Sequence, residues 1–240
     1  MTLRSTIVKT AGRMFFFAAL LSATAAPAGD FERDRQAAEA GDLLAAYNLA
    51  VAYRDGIGTA VDGALAITWF EKAAGGGDET AAFNLGVIFD DGSLVEEDDS
   101  RAAAWYRLAA ERGSVDAMIN LGLMLEAGEG MAQDLTAAAG YFRQAAERGD
   151  SFGKLKLGLM QQGGIGIVRD IEEAVNSLLG AFEQRDVDLE VILRDAPEQL
   201  SADARLAIKR VLAERKLIDG ADDAEIDPIT LGAIEKHYAR

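Results

Sequence analysis

The 240-residue sequence contains no cysteine, which excludes both a disulfide framework and a thiolate metal centre. It has one histidine, His237, close to the C-terminus. Chemistry that needs two imidazoles is therefore excluded, and a one-histidine triad would have to be built on the last residues of the chain. Prolines number three, and aromatic residues make up 7% of a chain that is 50% apolar. Alanine and glycine supply much of the bulk, a composition suited to thin helices whose backbones approach closely. Positive charge is scarce: 24 Lys and Arg stand against 40 Asp and Glu, for a formal net charge of −16. So acidic a surface repels nucleic acid and anionic lipid headgroups and favours basic partners.

Three of the positive residues, Arg4, Lys9 and Arg13, precede an apolar run from Met14 to Leu21. Small residues follow, ending in Ala26, Pro27 and Ala28. A basic start, a short apolar core and an A-x-A site are the parts of a secretory signal peptide, here residues 1–28. The run is shorter than the roughly 20 residues that span a bilayer. The alternative is an N-terminal anchor left uncut. Cleavage after Ala28 removes three positive charges and takes the net charge from −16 to −19. The expectation is a periplasmic or secreted protein with no stable membrane span in its mature form.

What the chain has in abundance is internal repetition. Gly41, Gly77, Gly113 and Gly149 fall 36 residues apart, and aligning on them brings the rest into register. Ala45, Ala81 and Ala117 coincide, as do Asn48-Leu49, Asn84-Leu85 and Asn120-Leu121. Gly56, Gly92, Gly128 and Gly164 follow, then Asp62, Asp98, Asp134 and Asp170. The aromatic pairs Trp69-Phe70, Trp105-Tyr106 and Tyr141-Phe142 complete the pattern. A fixed period of this size marks a stacked-repeat architecture.

Each period predicts two short helices. In the first, Ala45, Leu49 and Ala52-Tyr53 recur on one helical face, and Gly56 and Gly58 break the helix. Asp62 then stands as N-cap of a second apolar stripe through Leu65, Trp69 and Ala73. A pair this small cannot bury its apolar face alone, so the units must stack. Trp105 is expected to be buried in that stack.

These residues resemble the Sel-one-like (SLR) repeat family, relatives of the tetratricopeptide repeat. The pattern G-d-x-x-A-x-x-N-L-G, G-x-G, Asp and A-x-x-W-aromatic-x-x-A-A is matched almost position by position in three units. The fourth drifts: Gly153 replaces the helix Ala, Lys156 the Asn, and Ser177 the aromatic. The resemblance implies an all-α fold, a right-handed α-solenoid of helix-turn-helix repeats. Its parts would be a half-repeat cap (29–40), repeats at 41–76, 77–112 and 113–148, a degenerate fourth at 149–185, and a helical module at 186–240.

From about residue 186 the period is lost, and Pro197 breaks the chain. Ser201 is placed to cap a helix through Leu217, and Pro228 opens a last helix. Gly220, Asp223, Pro228 and Thr230 fall in register with a small peptidoglycan-binding module, which this stretch resembles in degenerate form. Three of that family's glycines are Lys216, Ala224 and Asp227 here. The resemblance implies a glycan surface at residues 199–240; the alternative is a helical cap that closes the solenoid.

Two further sets of residues suit partner binding. Asn48, Asn84 and Asn120 share one offset on the first helix, and an asparagine offers a donor and an acceptor to an extended peptide. The alternative is that each ties its helix to a neighbouring loop. Glu96, Glu97 and Asp99, beside Asp90 and Asp91, lack the alternating ligands of a calcium loop and suit a dock for a basic partner; the alternative is a solvated acidic turn. Gly128-Glu-Gly130 and Gly164-Ile-Gly166 are interhelix turns, with no strand before them and no Lys-Ser/Thr after. No catalytic constellation, metal or cofactor emerges. The function expected is a non-enzymatic interaction scaffold or regulator in the bacterial cell envelope. Alternatives are peptidoglycan binding through residues 199–240 and, third, a cell-wall-related hydrolase.

Overall fold

The computed structural model describes residues 28–182, 199–221 and 223–238. Residues 1–27 of the signal segment and Pro197 lie outside the described residues. The chain divides into two compact units, one ending at Ser114 and one beginning at Val115. The first contains α1 (Ala28–Glu39), α2 (Leu43–Asp55), α3 (Gly63–Gly75), α4 (Glu79–Asp91) and α5 (Asp99–Glu111). The second contains α6 (Val115–Ala127), α7 (Leu135–Glu147), α8 (Ser151–Gly163), α9 (Ile171–Phe182), α10 (Ala202–Glu214) and α11 (Pro228–Tyr238). Within each unit every helix packs on the next, and the described residues hold no strand. The fold is all-α and of the solenoid class.

Helices α2 to α8 are each 13 residues long. That is too short to be stable alone in water, so their stability comes from packing and from their ends. The aspartates of the repeat secure those ends twice over. The carboxylates of Asp62, Asp98, Asp134 and Asp170 accept from the N–H three residues on, at 2.9 to 3.0 Å. The main-chain N–H of each also donates back into the preceding helix, to the carbonyls of Tyr53, Phe89, Leu125 and Gln161. One residue therefore caps the second helix and closes the loop that leads to it. Gly56, Gly92, Gly128 and Gly164 stop the first helices at φ between 63° and 76°, a left-handed turn that costs a residue with a Cβ about 1–2 kcal/mol.

The core is built on the second aromatic of each pair. Phe70, Tyr106 and Phe142 are fully buried. Trp105, expected in the core, is only partly buried, as is Tyr141. The reason lies in the glycine of Asn-Leu-Gly. A Cβ on Gly86 would lie 2.5 Å from the Tyr106 ring, and one on Gly122 would lie 2.8 Å from Phe142. The aromatic ring thus lies against bare backbone at Gly86 and Gly122. One residue earlier the side chain points about 100° round the helix, where Trp105 and Tyr141 are partly exposed while Trp69 of the first repeat is buried. In the fourth repeat Leu178 takes the ring's place over Gly158.

Helices α10 and α11 complete the second unit's core. Leu200, Ile208, Leu212 and Ile234 join Leu155, Val175, Leu178 and Leu179 in one cluster. Ser201 caps α10 as expected, its side chain accepting from the Ala204 N–H at 3.2 Å. The helix stops at Glu214 rather than Leu217. Lys216, at φ 58°, supplies the left-handed turn, and the Leu217 N–H returns to the Leu212 carbonyl at 2.9 Å.

Candidate functional site

The three repeat asparagines sit in different surroundings. Asn48 is exposed on α2. Asn84 is partly buried; its amide donates to the Thr80 carbonyl at 2.8 Å, and its Oδ1 accepts from Arg54 Nη1 at 2.7 Å. Asn120 is buried, and its Nδ2 has no hydrogen-bond partner among the described residues. The fourth repeat has Lys156 at this offset, 2.5 Å from the Glu126 carboxylate. Arg54 and Glu126 themselves share an offset, 30 residues before Asn84 and Lys156. The same pair of places is thus bridged in both units, with cation and acceptor exchanged. Lys156 also stands 5.3 Å from the Phe142 ring centre.

Glu96 and Glu97 are exposed between α4 and α5, and Asp99 is partly buried in the first turn of α5. Asp98 between them is consumed as the N-cap. The stem of Glu97 packs over the turn, 3.2 Å from where a Cβ on Gly92 would stand. At the same offset Gln133 Nε2 donates to the Glu126 carbonyl at 2.7 Å and Arg169 Nε to the Gln162 carbonyl at 3.0 Å. Those donors close the end of their first helix. A carboxylate cannot donate, so Glu97 adds negative charge where Gln133 and Arg169 donate to the helix's end; the first repeat has the apolar Val61 there. Among the described residues Glu96, Glu97 and Asp99 form no ion pair, and no group of three or more metal-ligating side chains is present.

The C-terminal candidates are engaged within the fold. Gly220 is exposed in the turn after α10. Asp223 Oδ1 accepts from Lys209 Nζ at 2.8 Å and from the Glu225 N–H at 3.0 Å, and the same ammonium donates to the Glu225 carbonyl at 3.0 Å. Pro228 is the first residue of α11. Thr230 is buried, and its N–H donates to Asp227 Oδ1 at 2.7 Å. The Lys209 hydrogen bond holds the Asp223 carboxyl below its ordinary range, and the Thr230 N–H does the same for Asp227. A depressed carboxylate stabilises the fold above its unfolded pKa of about 3.9 and loses that contribution as pH falls through the folded value. Acidification to about pH 3 and below should therefore loosen α10 and α11 first. Amide exchange followed between pH 7 and pH 2.5 should show it, with Asp227→Asn loosening α11 already at neutral pH.

One arrangement was not anticipated from sequence. Gln162 is buried, its Nε2 donating to the Gln199 carbonyl at 2.6 Å and its Oε1 accepting from the Ser201 N–H at 2.8 Å. A polar pair, Gln161-Gln162, at the end of an apolar helix face was the available signal.

A Sel1 repeat model matches residues 43–78, 80–114, 115–150 and 152–176, more than half of the chain. The chain belongs to the Sel1 repeat family. Two solved structures agree with this fold. A protective antigen of uropathogenic Escherichia coli that displays an SLR fold is 28% identical over 86% of this chain, with a TM-score of 0.63. A Sel1 repeat protein from Oxalobacter formigenes is 29% identical over 65% of this chain, with a TM-score of 0.59. The chain spans 40% and 45% of those two proteins. No protein of curated function matches it. Sel1 repeat proteins are generally protein-interaction scaffolds, and the fold is typically non-catalytic. Among the described residues no helix is long and apolar enough to cross a membrane.

Proposed function

We propose that this Sel1 repeat chain is an exported scaffold that recruits a basic protein partner in the cell envelope. The observation that carries the reading is the acidic group of Glu96 and Glu97, exposed before α5, and Asp99 in its first turn, none of which forms an ion pair among the described residues. The repeat family supplies the expectation of a protein partner. The basic start, apolar run and A-x-A site of residues 1–28 support export. A protective antigen among the similar structures is in keeping with an envelope location. N-terminal sequencing should find a mature chain beginning at Gly29, and a cytoplasmic protein that retains Met1 would refute export.

Attraction between opposite charges speeds encounter at low ionic strength. Raising salt from 0.1 M to 1 M shortens the Debye length from about 10 Å to about 3 Å, so association with the partner should slow at least tenfold. Replacing Glu96, Glu97 and Asp99 together by Gln, Gln and Asn should lower the association rate at low salt and remove most of the salt dependence. Asp98 is left in place because its carboxylate caps α5. A partner captured from the envelope by crosslinking, whose association rate ignores both salt and these substitutions, would sink the electrostatic reading.

A second reading, peptidoglycan binding through residues 199–240, has one observation in its favour. Lys216 occupies a left-handed turn at φ 58°, where the resembled module has a glycine. Against it, Asp223 and Thr230 are already committed to Lys209 and Asp227. Retention of the full chain on purified sacculi at 1 M salt would favour this reading over the first.

A further inference from the structure

Gln162 holds the offset at which Arg54 and Glu126 meet a side chain 30 residues further along. Gln162 meets main chain instead, the carbonyl of Gln199 and the N–H of Ser201. The two groups flank the bend at Leu200, where one amide reaches both. A primary amide therefore reads the main chain of this helix-entry bend, whatever side chains the segment carries. Selectivity comes from the neighbours. Between the two hydrogen bonds, Leu200 is 1% exposed and packs with Leu155, Val175, Leu178 and Leu179. Asp203 pairs with Arg169, whose Nε is fixed on the Gln162 carbonyl. Behind them Ala204, Ile208 and Leu212 form a fully buried i, i+4, i+8 stripe on α10, which packs against α9.

We propose that the end of the fourth repeat is a recognition site for a helix-initiating peptide, and that residues 199–212 are its tethered occupant. The ligand class is an amphipathic helix entered through an apolar residue and a Ser or Thr cap. An acid stands two residues after the cap, and apolar residues fall eight and twelve positions after the first. The inference rests on the scaffold reading, and it gives that scaffold a second docking point, opened when a partner's helix displaces the chain's own.

The test uses the full chain and a fluorescein-labelled peptide of residues 199–217. The unaltered chain should bind the peptide weakly, because its own segment fills the site. The variant Leu200→Asp/Ile208→Asp should release that segment and bind at least tenfold more tightly. Adding Gln162→Ala should reverse about tenfold of the gain. No gain on release, or no effect of Gln162→Ala, overturns the proposal. Should the released variant lose the helicity of the repeats, amide exchange on the unaltered chain decides. The amides of Ile208 to Leu212 must exchange at least tenfold faster than those of Phe142 to Ala146, and equal protection overturns the proposal. Failure here leaves the salt-dependent association at Glu96, Glu97 and Asp99 untouched, so the two readings fail separately.

Discussion

Tyr106→Ala should destabilise the first unit by about 3–5 kcal/mol, the range of aromatic truncations in cores. Three contacts are lost together. The ring lies against bare backbone at Gly86 and beside Phe83, with centroids 5.8 Å apart, and the hydroxyl donates to Asp90 Oδ2 at 3.1 Å. At Gly86 there is no side chain to fill the space. Tyr106→Phe keeps the ring and should cost only about 1 kcal/mol, the worth of an ordinary hydrogen bond. Trp105→Ala, at the partly buried position beside it, should cost clearly less than Tyr106→Ala. Urea unfolding of the three variants measures the order. Because repeats lean mainly on their neighbours, amide protection should fall in α4 and α5 while that of α8 and α9 changes little. A Tyr106→Ala cost below 1 kcal/mol would mean that the ring is not the core residue of its repeat.

Gly166→Ala should be the most damaging single methyl in the second unit. The residue sits at φ 66°, and an added Cβ would fall 2.1 Å from the Leu135 carbonyl oxygen and 2.9 Å from the Thr136 nitrogen. The left-handed conformation costs about 1–2 kcal/mol for a residue with a Cβ, and overpacking costs about 1–3 kcal/mol. A loss of about 3 kcal/mol is expected, because the obstructing atoms are backbone and cannot rotate away. Gly140→Ala provides the control of opposite sign. It lies mid-helix in α7, and a Cβ there meets nothing within 4 Å. It should stabilise by about 0.5–1 kcal/mol through the conformational entropy of the unfolded chain. Thermal or urea midpoints that move the same way in both variants would contradict the packing described.

The repeats were legible in the sequence because one physical requirement recurs at one spacing. The aspartate caps and the left-handed glycines follow from residue type and period alone. Trp105 was misplaced because composition ranks tryptophan as the bulkier apolar residue, whereas the ring that lies over the bare backbone of Gly86 is that of Tyr106. The bridges 30 residues apart were not visible, since Arg54–Asn84 and Glu126–Lys156 share no residue type at either place. Read alone, Lys156 is a departure from the pattern; beside Glu126 it is the same joint with the charges rearranged. The Gln162 contact escaped for a different reason. It engages main chain, which carries no sequence signature at the receiving end. Glu96, Glu97 and Asp99 were found from charge alone, and the structure adds that Glu97 replaces a donor.

The bridges across 30 residues also govern which changes of length the gene can survive. A single inserted residue inside a helix turns everything beyond it by about 100°, so each side chain of a bridge faces a stranger. Removing or duplicating a whole period has no such effect, since it returns a polar side chain to the same place on the same kind of helix. Asparagine, which makes this bridge at 84, is suited to the role, because one amide answers a cation or a carboxylate equally well. A joint that accepts either sign lets neighbouring copies be shuffled without first being matched, so the array can lengthen or shorten by recombination while each surviving unit keeps its fit.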